Sequence, residues 1–305
     1  MLCMYLSETL TGVLIMANKH NPLSAFYRAP KFFTAIPSGG KFYTPDICEM
    51  PDTNELPVFA MTSKDELMMK NPDALLNGEA VTQVIQSCVP NVKNARKMLS
   101  SDIDVLLIAI QGATYGDDID VTAPCPKCEE TCSSVASVDS ALATMGTLQD
   151  SYTAEVNGLT ITIRPFTYES TIKAGITNFR STRSLQALAD IPDEMERLRL
   201  FNENFKQISA LNYELTADSI DSISFIDENG EKVVVSDRQH LTEFLDNADS
   251  SIGASIESQI TEINGVGINL EMQMECDKES CLDDGEPHVF SSKVNFDPVN
   301  FSTAS

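Results

Sequence analysis

Cys125 and Cys128 are separated only by Pro126 and Lys127, and a turn of that size points two thiolates at one ion. A tetrahedral site takes four ligands, so a second pair has to come from elsewhere. Cys276 and Cys281 supply it, 148 residues beyond Cys128. Each pair ends a segment that reads as a strand, residues 118–124 for the first and 266–275 for the second. Two strand–knuckle–strand units facing each other make a zinc-ribbon-like β element, and Cys125, Cys128, Cys276 and Cys281 are its candidate ligands. Four thiolates close the coordination sphere and leave no place for a catalytic water, so a zinc ion held here is structural. Alternatives stay open at this point. Cys132 or His288 can replace one of the four, an iron–sulfur cluster also takes four thiolates, and the wider x4 spacing allows a knuckle without metal.

Other chemistry finds little support in the residues. The three histidines, His20, His240 and His288, sit in no motif, and no nucleophile elbow, zinc-protease helix or phosphate loop occurs. The acidic pairs Asp117-Asp118 and Asp283-Asp284 read as solvated turns. The expectation is a protein that is not an enzyme. Its 21 Lys and Arg against 45 Asp and Glu leave a net charge of -24. A chain so acidic is a poor partner for nucleic acid, which is bound by neutralising phosphates, and it is repelled by anionic membranes. The first residues carry Glu8 and lack a basic leader, and the apolar stretch is too short to span a bilayer. Met16 is a plausible second start, with 1–15 as a loose tail. Eight cysteines without an export signal read as reduced thiols, which favours metal over disulfide.

Positioning the cysteines falls to an α+β chain. Residues 1–55 read as an extended N-terminal arm: 17–45 hold no acid, four basic residues, six aromatics and Pro22, Pro30, Pro37 and Pro45. Such an arm either packs on its own domain or docks on a neighbouring subunit. Residues 56–116 read as an α/β domain, with a strand from Leu56 to Met61, a helix capped near Thr62, Val81, Val84, Ile85 and Cys88 at helical spacing, and an apolar helix opened by Ser101 and Asp102 and closed by Gly116. Residues 117–135 and 266–305 form the ribbon-like element and a C-terminal tail. Between its halves, 150–265 is an inserted and mostly helical domain. Its two hairpins turn at Asn157-Gly158 and Asn229-Gly230, helical pattern runs from Tyr168 to Leu211, and two more helices follow.

These residues resemble the baseplate hub and hub-assembly proteins of T-even-like, contractile-tailed bacteriophages. The stretches that carry the resemblance are IPSGGKFYTPD (36–46), LPVFAMTSKDELMMKNPDALLNG (56–78), the run from Val84 through Cys128, and the second knuckle with HVFSSKVNFDPVNF (288–301). The usual family pattern has two C-x2-C knuckles with Gly after the second Cys. Here Glu129 follows Cys128, and the second pair is C-x4-C. The resemblance implies a structural component that works in a multi-subunit tail baseplate, assembled in the host cytoplasm and found in the mature virion. Its partners would be other baseplate and hub proteins, and possible further ones are the tail tube and the tape-measure protein. A transient hub-assembly chaperone absent from the virion is the alternative, and a nucleic-acid-binding zinc ribbon is a weaker one. The -24 charge adds that basic neighbours suit it, and Phe296, Pro298 and Phe301 are apolar anchors for them.

Overall fold

The computed structural model describes residues 21–188, 191–268, 271–278, 281–282 and 286–293. The two candidate starts, Cys3, His20, Asp283-Asp284 and the anchors Phe296, Pro298 and Phe301 lie outside the described residues.

Three apolar clusters organise the α+β chain. The first begins with β1 (Pro30–Thr34), paired antiparallel with β2 (Leu56–Phe59). A reciprocal cap then starts α1 (Ser63–Met69): the Thr62 side chain accepts from the Asp65 N–H, and the Asp65 carboxylate accepts from the Thr62 N–H. After α2 (Pro72–Leu76), α3 (Glu79–Cys88) buries Ala80, Val81, Val84, Ile85 and Cys88, the spacing of one helix face. α4 (Ser100–Tyr115) is apolar on every side and buried from Val105 to Ala113, as a helix enclosed by its neighbours must be. It stops at Gly116, whose φ of +107° turns the chain into β3 (Asp118–Pro124). β4 (Thr131–Ser137) returns antiparallel to β3 and leads into α5 (Val138–Ala143).

The second cluster underlies β5 (Tyr152–Val156) and β6 (Leu159–Ile163), a hairpin with Asn157 and Gly158 at φ +53° and +80°. Two long helices follow, α6 (Tyr168–Leu188) and α7 (Glu194–Ser219). The sequence pattern suggests one helical run there. The structure divides it because Asp193, after Pro192, caps a new helix by accepting from the Met195 and Glu196 N–H groups. β7 (Ile220–Ile226) and β8 (Lys232–Val235) make the second expected hairpin. β7 also pairs with β6, so the two hairpins form one four-stranded antiparallel sheet. α8 (Arg238–Asn247) follows, and α9 (Ser250–Asn264) covers the sheet with Ile252, Ile256, Ile260 and Ile263. Each isoleucine so buried contributes about 1.5–3 kcal/mol. β9 (Glu271–Cys276) and β10 (His288–Lys293) pair antiparallel and close the described chain.

From Arg28 onward the proline-rich segment is fastened to its own domain. The Arg28 guanidinium donates to the Ser87 carbonyl at 2.6 Å and the Ser87 hydroxyl at 2.8 Å, reaches Asp65 at 3.5 Å, and lies over the Phe59 ring. Ile36 and Cys48 are buried in the first cluster, and β1 supplies the partner that β2 needs. Basic charge and proline keep the segment out of helix without keeping it off its own domain. The α+β class holds, but no zinc ribbon is established: β3–β4 and β9–β10, the strands on either side of the two knuckles, are separate two-stranded sheets.

Candidate metal centre

α4 sets the position of the first knuckle, because Gly116 carries its end straight into β3 and β3 ends at Pro124, one residue before Cys125. The turn is closed by two main-chain bonds. The Cys125 N–H donates to the Glu130 carbonyl at 2.8 Å, and the Glu129 N–H donates to the Cys125 carbonyl at 2.9 Å. Inside it the Lys127 N–H points at Cys125 Sγ, 3.4 Å away. Glu129 takes φ +60°, the left-handed region that favours glycine. β9 delivers Cys276 at its last residue, and the Cys281 N–H donates to the Lys278 carbonyl at 2.8 Å.

The two knuckles meet. One ligand atom each from Cys125, Cys128, Cys276 and Cys281 fall within 4.8 Å of one another. Cys125 Sγ lies 3.8 Å from Cys281 Sγ, and Cys128 Sγ lies 3.8 Å from Cys276 Sγ. Four sulfurs about 2.3 Å from a central ion at tetrahedral angles stand about 3.8 Å apart. The observed spacing therefore fits one tetrahedral ion. Cys125, Cys276 and Cys281 are 1% exposed, and Cys128 is half-buried. Around them the third cluster packs Ile108 of α4, Val121, Val138, Met274 and Phe290, a dry setting for a structural site.

Neither sequence substitute belongs to the group of four. Cys132 is buried beside it, and burial first, then the Cys276 side chain and the charges of Cys125 and Cys128, push its thiol up to about 11. Burial also opposes the Cys125 thiolate. There, hydrogen bonds from the Lys127 and Cys128 N–H groups and from the Cys276 and Cys128 side chains outweigh it and bring the thiol down to about 6. His288 sits opposite Cys276 in the β9–β10 register with its ring stacked on Phe290.

A second buried polar group escapes sequence reasoning. Asp102, which reads there as an ordinary helix-opening acid, is fully buried. It accepts from the Ser38 N–H at 2.9 Å and from the hydroxyls of Ser38 and Tyr43. The Tyr43 oxygen in turn accepts from the Leu99 N–H at 2.9 Å. This network fastens residues 38–43 to the start of α4, the helix that carries the first knuckle.

Among the described residues no helix is long and apolar enough to cross a membrane. A family model described as T4 bacteriophage base plate protein matches residues 32–290, which include both cysteine pairs and all that lies between them. No curated protein and no solved structure matches the chain.

Proposed function

Because the chain belongs to the T4 bacteriophage base plate protein family, we propose that it is a resident, non-catalytic subunit of the baseplate hub, stapled by one zinc ion. The observation that carries the staple is the convergence of Cys125, Cys128, Cys276 and Cys281 within 4.8 Å. A cluster of several irons spreads its thiolates farther apart than a single ion does, so the close spacing favours zinc over iron–sulfur. The ion supplies cross-linking and no open coordination position. It joins the two ends of a long insertion, so metal binding also contributes to folding.

Function then rests in surfaces that other baseplate and hub proteins cover. Leu23, Phe26, Tyr27 and Phe33 are 60–84% exposed next to the anchored Arg28, an apolar patch suited to a neighbouring subunit. Basic partners complement a chain of -24, and the tail tube end or the tape-measure protein would qualify. Mass spectrometry of purified virions tests residence: stoichiometric recovery supports it, and absence from virions with presence in assembling tails establishes the transient chaperone instead. Metal analysis of purified protein is expected to find one zinc per chain.

A further inference from the structure

We propose that the cleft beside Arg28 is a docking site for an apolar segment of this same chain, residues 13–16. The inference stands apart from the metal site and from any place in the hub. Tyr27, Phe59, Met61 and Pro90 form the apolar walls of the cleft, with Arg28, Thr62 and Ser87 between them. Its volume of about 480 Å³ falls in the range of about 300–1,000 Å³ typical of ligand pockets.

The polar groups of the lining are engaged with one another. The Arg28 guanidinium donates to the carbonyl and hydroxyl of Ser87 and to the Ala60 carbonyl, and it faces the Asp65 carboxylate at 3.5 Å. The hydroxyls of Thr62 and Ser87 donate to the same carboxylate, at 2.8 and 3.0 Å. Charge is thus matched within the wall, and an anionic ligand gains nothing there that Asp65 does not already supply. An occupant is offered apolar surface instead, with Tyr27 and Pro90 exposed and Phe59 half-buried.

The occupant is identified by where the rest of the chain joins. The described chain begins at Asn21, and a short helical turn, Pro22–Phe26, folds Asn21 back on the cleft wall. Its side-chain amide donates to the Tyr27 hydroxyl at 2.9 Å. The twenty residues before it, outside the described ones, therefore join the fold beside the cleft. Among them, residues 9–18 carry no charge, and 13–16 read Val-Leu-Ile-Met, in a chain of which 22% is charged. The five steps from Asn21 back to Met16 reach up to about 17 Å at 3.3–3.6 Å each, enough to bring the apolar run over Phe59 and Met61. A segment tethered so closely has an effective concentration on the order of millimolar, which a free partner must outcompete.

Photo-crosslinking in the full chain tests this. With p-benzoylphenylalanine in place of Val13, irradiation should link residue 13 to Met61 or to another residue of the cleft wall, within a single chain of 33.4 kDa on a denaturing gel. Leu14→Asp with Ile15→Asp should abolish the link, because two carboxylates would lose their water in a lining with no unmatched cation. Hydroxyl-radical footprinting gives a second reading without the probe. Tyr27 and Phe59 should be oxidised several-fold more in the Leu14→Asp, Ile15→Asp variant than in the wild type, with an unchanged circular dichroism spectrum. No link, a link to another part of the chain, a link between two copies, a link that survives the two aspartates, or equal oxidation in the two proteins overturns the proposal.

Discussion

Cys125 and Cys281 lie 156 residues apart in the chain, and their sulfurs are 3.8 Å apart. With Cys128 and Cys276 in the same cluster, loss of one ligand dissolves a shared site. Cys125→Ser and Cys281→Ser should each release the metal and cost at least about 3 kcal/mol, a fall of roughly 5–10 °C in Tm. The double variant should be little worse than either single one, because the site is already gone. Calorimetry beside metal analysis reads both quantities, and additive losses would count against a common ion.

Cys132 and His288 give the opposite expectation. Both stand beside the cluster and neither enters it, Cys132 as a thiol pushed up to about 11 and His288 as a ring stacked on Phe290. Cys132→Ala and His288→Gln should keep a full complement of metal, with stability changes within about 1–2 kcal/mol. Loss of metal in either variant would redraw the ligand set.

Glu129 is held at φ +60°, where a side chain costs about 1–2 kcal/mol that glycine avoids. Part of that gain is offset by the freedom glycine adds to the unfolded chain. Glu129→Gly should therefore be neutral or raise stability by up to about 1 kcal/mol, while Glu129→Val, β-branched at a left-handed position, should lower it. Denaturant midpoints of the wild type and the two variants rank the three, and a destabilised Glu129→Gly would show that the side chain is needed for more than its backbone.

Local chemistry made much of this legible. The cap at Thr62, the turns at Asn157-Gly158 and Asn229-Gly230, the stop at Gly116 and the Cys125–Cys128 knuckle each depend on residues within a few positions of one another. Long-range pairing left no such trace. β6 and β7 join two hairpins through Ile161 and Ile223, whose alternation is the same whether or not a partner strand lies beyond. Arg28 reads as a surface charge on a proline-rich arm until Ser87 and Asp65 are placed next to it. Asp102 lies 64 positions from Ser38 and 59 from Tyr43, and no spacing rule connects them.

That network makes the last prediction. Tyr43 bridges the Leu99 N–H and the Asp102 carboxylate in a buried site, so Tyr43→Phe leaves a main-chain donor without its partner and should cost about 1–3 kcal/mol. Burial pushes the Asp102 carboxyl up, against the opposing hydrogen bonds from the Ser38 and Tyr43 side chains and the Ser38 main chain. The folded chain then holds a proton at a pH where the unfolded chain has released it. Asp102 accordingly favours folding most below the unfolded value of about 3.9, and that contribution is lost as pH rises through the raised folded value. Asp102→Asn keeps the shape and removes the titration. Urea unfolding from acid to neutral pH should show the wild type losing ground relative to Asp102→Asn as pH rises. Parallel profiles, or a Tyr43→Phe variant as stable as wild type, would mean that the network does not hold residues 38–43 on α4.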